Sequence, residues 1–304
     1  MKNKKKNIAI IAVIVLLLAG LAYAGYRAFL MAKEKYIYII DHLDRIEENG
    51  RHYDFDYSWA EENVLVAHAM GAYEGNTYTN ALQAFEYNYD LGYRVFEVDF
   101  DLSTDYYLIC SHREKNWREI SQSGDDIEYS LENFKSIPVC GNMDTLDGKD
   151  IIELMVAYPD IYIITDNKYT DEYRIRLQFT QLVSYAMEIS HPEVLDRVIP
   201  QIYHEKMLGY VMDIYPFKSV IYTVYKDPDW QTDTLAVFCS RTGVGFITMW
   251  AENATQERID IWNKFGIRTA AHTVNEPEEA RELLDRGVNM LYTDYLLPED
   301  FKKE

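Results

Sequence analysis

The chain has 304 residues, 48% of them hydrophobic and 14% aromatic, which is enough to bury the core of one large α/β domain. Glycine and proline are not enriched, and no fixed-period repeat or low-complexity tract indicates a second folded domain. The formal net charge is −20, which excludes nucleic acid and anionic lipid as partners unless a local cation intervenes.

Residues 1–26 differ in composition from the rest of the chain. Residues 1–7 form a basic flank with four lysines, and residues 8–26 come next without a charge. This pattern is typical of a segment that keeps its N-terminus in the cytoplasm and places the rest of the chain outside the cell membrane. The run is either a single-pass transmembrane anchor or a signal peptide, because Ala22-Tyr23-Ala24 resembles a small-x-small cleavage site. A buried helix of a soluble protein is a third alternative.

The part after this segment is strongly acidic. Removing residues 1–24 takes away four of the 30 basic residues and none of the 50 acidic ones, which leaves a formal charge of −24. A substrate that carries a phosphate would therefore need a bound metal or a local basic cluster. The three cysteines, Cys110, Cys140 and Cys239, are too few for a disulfide framework. We expect small buried side chains, although one pair could form a disulfide.

The remaining chain is predicted to form a stalk and then a barrel. Residues 27–60 are predicted to form a stalk or a helix that closes the barrel base, because Ile37, Ile40 and Leu43 recur near helical spacing. Residues 61–304 alternate short apolar runs with amphipathic stretches. Strands are predicted at 64–67, 95–100, 107–110, 161–165, 198–203, 219–224, 245–250, 268–272 and 289–293. Helices are predicted at 80–91, 148–157, 170–189, 204–214, 232–239, 255–265 and 276–286, and this alternation predicts a TIM-type (β/α)8 barrel.

Nine strands are one more than such a barrel contains. Only six residues separate the second and third runs, whereas a parallel crossover needs about a dozen. These two runs are therefore predicted to pair as an antiparallel hairpin arm after the second barrel strand. With a turn centred at Thr104-Asp105, Glu97 would face His112 and Asp99 would face Cys110 across the hairpin.

Several polar side chains lie at the C-terminal ends of the predicted strands, where TIM barrels carry catalytic groups. They are His68, Glu97, Asp99, His112, Asp166, Lys168, His272 and Asn275. Glu97 and Asp99 share one face of a strand and could bind one hard cation, with Asp166 as a third ligand. The oxygen-only set favours Mg²⁺ or Ca²⁺. Two histidines beside such a cation suit general acid–base catalysis, and Lys168 would face a phosphate oxygen.

Each of these residues alone has a structural explanation. A single histidine at a strand end is often only hydrogen-bonded, paired acids are often solvated, and Asp166 with Lys168 could be a surface ion pair. Their convergence at one end of the barrel favours a functional site. Glu97 also favours a functional site, because a carboxylate in an otherwise apolar run is costly to bury unless it is paired or bound to metal.

The same region resembles the glycerophosphodiester phosphodiesterase family over roughly residues 64–300. The resemblance lies in His68-Ala69-Met70-Gly71, Asn80-Ala81-Leu82-Gln83-Ala84-Phe85, Gly92, Phe96-Glu97-Val98-Asp99, Ser111-His112, Asp166-Asn167-Lys168, His272-Thr273-Val274-Asn275, Gly287-Val288-Asn289 and Thr293-Asp294. It implies a TIM-type barrel that cleaves phosphodiesters, with His68 and His112 as the catalytic pair. It also implies that Glu97, Asp99 and Asp166 bind one divalent cation and that Lys168 contacts the phosphate.

The sequence departs from the family pattern at four positions around the predicted pocket. Ala69 replaces an arginine, Arg113 an aspartate, Asp166 a glutamate and His272 a tryptophan. Arg113 could restore at the phosphate the charge that is missing at Ala69, and His272 and Asn275 are expected to contact substrate. Two extra residues also lie in the segment 72–79. These departures concern the identity of the substrate more than the chemistry.

The sequence thus predicts an extracytoplasmic phosphodiesterase for a glycerophosphodiester, a lipid head group or a related alcohol phosphate. His68 would deprotonate the nucleophile and His112 would protonate the leaving oxygen, or the roles would be exchanged. Hydrolysis and release of a cyclic phosphate both stay open. Two alternatives are a catalytically inactive barrel that serves as a surface binding protein and a phospholipase that acts on lipid.

Overall fold

A computed structural model describes residues 2–49, 51–225 and 231–301, with side chains given for 14–37, 51–225 and 231–301. The chain divides into two compact units, Met1–Gly50 and Arg51–Glu304. The first unit is the helix α1 (Lys2–Asn49). Its segment Ile14–Ile37 has a mean hydropathy of 1.8 and is long and apolar enough to cross a membrane, although a signal sequence would meet the same criteria. The lysine side chains of the predicted basic flank, residues 1–7, lie outside the described residues.

The second unit is a closed barrel of eight parallel strands, which confirms the predicted fold class. The strands are β1 (Leu65–Ala67), β2 (Val95–Leu102), β4 (Tyr162–Asn167), β5 (Val198–Ile202), β6 (Ile221–Val224), β7 (Phe246–Trp250), β8 (Arg268–His272) and β9 (Met290–Thr293), with β3 (Leu108–Cys110) outside the ring. Around the barrel the order is β1-β9-β8-β7-β6-β5-β4-β2, and β1 closes it against β2. Every predicted strand is present.

Helices alternate with the strands as the sequence predicts. They are α2 (Trp59–Glu62), α3 (Leu82–Asp90), α4 (Glu114–Ser121), α5 (Leu131–Ser136), α6 (Gly148–Ala157), α7 (Glu172–Glu188), α8 (Glu205–Met212), α9 (Thr232–Thr242), α10 (Gln256–Lys264) and α11 (Pro277–Asp285). Polar N-caps start several of them: the Asp147 side chain forms a capping box on α6, and Thr255 caps α10. The cysteines are free, with Cys110 and Cys239 buried and Cys140 partly exposed.

The hairpin arm is confirmed, but its predicted register is wrong by one residue. β3 pairs antiparallel with β2 so that Phe100, and not Asp99, lies opposite Cys110. The turn is centred on Asp105 and not between Thr104 and Asp105, because the Ser103 N–H donates to the Tyr107 carbonyl at 3.0 Å and closes a five-residue loop. The ladder continues beyond β3, where the Ser111 N–H donates to the Asp99 carbonyl at 2.9 Å, so that His112, the next residue, comes close to Asp99 and does not lie opposite Glu97 as predicted.

Aromatic side chains close the N-terminal end of the barrel. Trp59 on α2 is 5% exposed and stacks on Phe246, the first residue of β7, with 5.7 Å between ring centroids. Its indole N–H donates to the Ser219 hydroxyl at 3.0 Å. The neighbouring Tyr57 hydroxyl donates to the Val220 carbonyl at 2.7 Å. This end is therefore filled by packed side chains, which leaves the opposite end for a site.

Replacing Trp59 by alanine is expected to destabilise the barrel by about 3–5 kcal/mol, because it leaves a cavity and removes the hydrogen bond to the Ser219 hydroxyl. Thermal unfolding should show a fall in Tm of about 10 °C. Tyr173→Ala removes an aromatic ring that is 67% exposed on α7 and should leave Tm nearly unchanged. Equal falls in Tm for the two substitutions would contradict a structural role of Trp59 at the N-terminal end of the barrel.

Candidate active site

A cavity of about 600 Å³ opens at the C-terminal ends of the barrel strands. The residues that line it are His68, Tyr78, Glu97, His112, Asp166, Lys168, Gln201, Tyr225, Thr248, Trp250, Ala251, Glu252, His272, Thr273, Glu279 and Tyr292. Six of the nine predicted site residues are among them. Asp99 lies fully buried beside the cavity, whereas Arg113 and Asn275 are not part of its lining.

The three predicted metal ligands come together as the strand register requires. Asp99 and Asp166 are direct neighbours in the β2–β4 pairing, and Glu97 lies two residues before Asp99 on the same face. One oxygen from each of the three carboxylates lies within 4.8 Å of the others. Burial and the charge of Asp99 raise the pKa of Glu97 to about 8, and its Oε1 has no hydrogen-bond partner among the described residues. A buried, unpaired oxygen among carboxylates fits a hard divalent cation.

Lys168 lies between two of these carboxylates. Its ammonium contacts Asp99 and lies 2.6 Å from Asp166 Oδ2. Burial alone would lower the pKa of Lys168, but the two carboxylates raise it above its usual range. Burial would likewise raise the pKa of Asp99, yet the charge of Lys168 lowers it below its usual value. The Asn80 amide fixes Asp99 further by donating to Oδ2 at 2.8 Å. The lysine is therefore a permanent cation beside the predicted metal site.

The loop after β1 presents His68 to the cavity in an unusual backbone conformation. Ala69, Met70 and Gly71 have φ values of 47°, 73° and 81°, a region that L side chains rarely adopt. The Asn88 side chain holds the loop by donating to the Met70 carbonyl at 3.1 Å, and a Cβ at Gly71 would collide with that amide. The Ala69 N–H donates to Glu97 Oε2 at 2.7 Å. At the position where the family has an arginine, this chain therefore uses its backbone to bind Glu97.

His68 is supported from behind by an aspartate. Its Nδ1 lies 2.9 Å from Asp294 Oδ1, and Asn275 donates to the other oxygen of that carboxylate at 2.8 Å. Burial alone would lower the pKa of His68, but the Asp294 hydrogen bond and the charge of Glu97 raise it to about 9. This contact fixes the tautomer with Nδ1–H donated to Asp294, so Nε2 is left for a ligand. Asn275 thus orients the carboxylate of Asp294 in this structure.

His112 has a different electrostatic environment. It lies at the end of the hairpin arm, and burial and the charge of Lys168 lower its pKa, although the charge of Asp99 opposes them. The ring of Tyr78 lies between the two histidines, with centroids 4.6 Å from His68 and 5.2 Å from His112. One histidine is therefore stabilised as the cation and the other as the neutral base, which is the arrangement that an acid–base pair needs.

Arg113 and His272 lie outside the group formed by Lys168 and the three predicted metal ligands. The Arg113 guanidinium donates to the Lys168 carbonyl, lies 3.7 Å from Asp101 Oδ1 and covers the Tyr169 ring. Its side chain therefore supports the Lys168 backbone beside the cavity. His272 lines the cavity on the far side, where burial and the charges of His68 and Lys168 lower its pKa to about 3.

Three residues of the site were not predicted as such from the sequence. Asp294 comes directly after the last strand, so the rule that strand ends carry functional groups could have found it. Asn80 and Tyr78 lie in a loop where φ is 49° and 57°. No periodicity marks such residues, and their contacts with Asp99 and the histidines appear only in three dimensions.

The closed parallel barrel, with titratable side chains gathered at its C-terminal end, defines this protein as a TIM-barrel enzyme. Residues 71–297 match the model of the glycerophosphoryl diester phosphodiesterase family. The chain belongs to that family and is a phosphodiesterase, which confirms the resemblance seen in the sequence. No curated protein sequence matches the chain significantly.

Solved structures with the same fold are remote in sequence. A glycerophosphodiester phosphodiesterase from Parabacteroides distasonis is 15% identical, with a TM-score of 0.62, 79% of this chain covered and 95% of that one. An Oleispira antarctica phosphodiesterase, in complex with the product sn-glycerol-3-phosphate, is 16% identical, with a TM-score of 0.62 and coverages of 78% and 94%. A glycerophosphodiester phosphodiesterase from Thermotoga maritima is 18% identical, with a TM-score of 0.56 and coverages of 76% and 94%. At these identities the likeness shows the fold.

Proposed function

We propose that this protein hydrolyses a glycerophosphodiester or a related alcohol phosphate outside the cytoplasm, with one divalent cation, Mg²⁺ or Ca²⁺. The observation that supports this most directly is that Glu97, Asp99 and Asp166 lie together at the cavity that also holds His68 and His112. The glycerol phosphate bound to the Oleispira antarctica phosphodiesterase is a product of the same chemical class. Glu97, Asp99 and Asp166 would hold the cation, which would stabilise negative charge on the phosphoryl oxygens.

The electrostatics favour His68 as the acid and His112 as the base. With its raised pKa, His68 carries a proton at neutral pH and can donate it from Nε2 to the leaving alcohol oxygen. With its lowered pKa, His112 is neutral and can accept a proton from the attacking water. The sequence leaves two assignments open, and this is the one in which His68 is the acid and His112 is the base. Asp294 keeps the imidazolium of His68 in place.

One cationic side chain, supported by a second, completes the proposed phosphate site. The Lys168 ammonium, next to the same carboxylates, would bind a phosphoryl oxygen. Arg113 would act mainly by holding the Lys168 carbonyl. Asn275 would orient Asp294, and His272 would face the alcohol group of the substrate.

The direct test is an assay of the full chain in detergent against a panel of glycerophosphodiesters, with Mg²⁺ or Ca²⁺ added. We expect release of glycerol phosphate that depends on the cation. Absence of turnover for every diester with either cation would refute the proposed function. The location is tested separately: protease added to intact cells should degrade an anchored barrel, and a secreted one should be found in the medium.

Replacing Asp294 by asparagine is expected to move the alkaline limb of the pH–rate profile. Because the Asp294 carboxylate raises the pKa of His68, its loss lowers that pKa, and His68 then loses its proton at a lower pH. The alkaline limb should shift down by about one to two pH units. The acidic limb, which reports His112, should stay in place. A uniform loss of rate without a shift would contradict the assigned role of Asp294.

A further inference from the structure

The cavity has two chemically different sides. Around the eight-stranded ring β7 lies four strands from β2 in either direction, so it faces the strand that carries Glu97 and Asp99. On the β7 side three rings lie together: the Tyr225 centroid is 6.3 Å from that of Trp250 and 5.5 Å from that of His272. Trp250 and His272 are themselves 6.2 Å apart. These three side chains, which we call the aromatic wall, all line the cavity.

The aromatic wall carries no charge of its own. The lowered pKa of His272, about 3, keeps its ring neutral at physiological pH, and its buried Nε2 has no hydrogen-bond partner in the part of the chain that the structure describes. Trp250 is 43% exposed, which leaves a large ring surface open on the cavity side. Tyr225 is held in place by stacking on Tyr203, with 5.5 Å between the centroids and 6° between the planes. The wall is thus a rigid set of aromatic surfaces that can receive a ligand.

Two carboxylates lie beside the aromatic wall. Glu252 lies two residues after the end of β7, and Glu279 lies on α11, the helix after β8; both line the cavity. Neither forms a salt bridge within the described part of the chain. Among the described residues, Lys168 is the one lysine that lines the cavity. It forms ion pairs with Asp99 and Asp166 on the side of the cavity away from the aromatic wall. The potential near the wall therefore attracts a cation that comes with the substrate.

We propose that the aromatic wall binds a quaternary ammonium group on the alcohol of the substrate, so that the preferred diester is of the glycerophosphocholine type. This inference rests on the proposed function, since it places the phosphate at the histidine side of the same cavity. A trimethylammonium group has no N–H to donate and is bound best by aromatic faces, with nearby carboxylates adding attraction. The volume of about 600 Å³ accommodates a ligand of this size.

The kinetic test compares two diesters of glycerol phosphate that have the same shape. One carries choline and the other carries 3,3-dimethylbutanol, its neutral isostere. In the full chain, Trp250→Ala should lower kcat/KM for the choline diester about tenfold, mainly through KM, and should lower it by a clearly smaller factor for the neutral diester, because both lose an apolar contact but only choline loses a cation–π contact. Trp250→Phe should restore most of the loss. Tyr173→Ala, which removes an exposed ring outside the cavity, is the matched control.

The second test does not depend on turnover. Choline should bind to the full chain in calorimetry, 3,3-dimethylbutanol should bind more weakly, and Trp250→Ala should reduce the difference. Equal binding of the two compounds, or equal turnover of the two diesters by the unaltered chain, would overturn the proposal. If both diesters resist hydrolysis while choline binds, the proposed function fails and the ammonium site stands. Stronger turnover of an ethanolamine diester would exclude a site built for quaternary ammonium.

A third comparison identifies the source of the head group. The same assay is run with free glycerophosphocholine and with phosphatidylcholine vesicles at equal choline concentration. We expect turnover of the free diester, because the strongly acidic chain does not favour contact with a bilayer. Faster release from vesicles would overturn the assignment to a free glycerophosphodiester.

Discussion

Replacing His68 or His112 by alanine is expected to lower kcat by about a thousandfold, because each substitution removes one of the two proton transfers in the reaction. The ring of Tyr78 lies between the two histidines. Their surroundings favour the protonated form of His68 and the neutral form of His112. Neither can therefore take over the task of the other. KM should change much less than kcat, since both groups act mainly on the transition state.

The double variant tests whether the two histidines act in the same step. Two groups that act in one step are not additive, so His68→Ala together with His112→Ala should be only slightly slower than either single variant. His191→Ala is the matched control, because that histidine is exposed and paired with Glu193 outside the cavity. Circular dichroism and thermal unfolding should show all variants folded. Retention of more than a tenth of the activity in both single variants would contradict acid–base catalysis by this pair.

The architecture of the barrel could be predicted from the sequence because its signals are local. Each strand is a short apolar run, and each helix has its own periodicity and caps. The grouping of the three carboxylates could be predicted for the same reason, since Glu97 and Asp99 alternate on one strand and Asp166 lies near the end of the strand that pairs with it. These are consequences of strand geometry and parallel order, which a sequence can express.

The parts that could not be predicted depend on loops and on long-range packing. The predicted register of the hairpin was wrong by one residue because the five-residue turn is closed by the Ser103–Tyr107 bond. The position of Asp294 at a strand end could have been found, but its hydrogen bond to His68 could not, because the two residues lie 226 positions apart and no local pattern links them. The Arg113 guanidinium donates to the backbone carbonyl of Lys168, a contact that no local pattern in the sequence indicates. Side-chain direction in irregular segments is decided by such contacts and not by composition.

Replacing Glu97 by glutamine is expected to abolish cation binding and most of the activity. Glu97→Gln removes one negative charge from the predicted metal site but keeps an oxygen that can accept the Ala69 N–H. We expect binding of Mg²⁺ or Ca²⁺, measured by calorimetry, to fall below detection. We also expect kcat to fall by about a thousandfold, because the cation contributes several kcal/mol of charge stabilisation. Addition of a chelator to the unaltered enzyme should have a similar effect.

Stability measurements distinguish this loss of function from misfolding. Burial and Asp99 raise the pKa of Glu97 in the folded state to about 8, so its ionisation opposes folding as the pH rises from about 4.5 to 8. Without a divalent cation, Glu97→Gln should therefore unfold at an equal or higher Tm at pH 8 than the unaltered protein. Addition of the cation should raise the Tm of the unaltered protein and leave that of the variant unchanged.

The control for this experiment is Glu153→Gln on α6, where the carboxylate is exposed and pairs with Lys149 at 4.0 Å. It should keep both cation binding and activity. A cation-dependent rise in Tm that persists in Glu97→Gln would place the metal elsewhere and would refute the triad. A loss of binding together with an unchanged or higher Tm would mean that the buried carboxylate is retained for the cation, at the expense of stability.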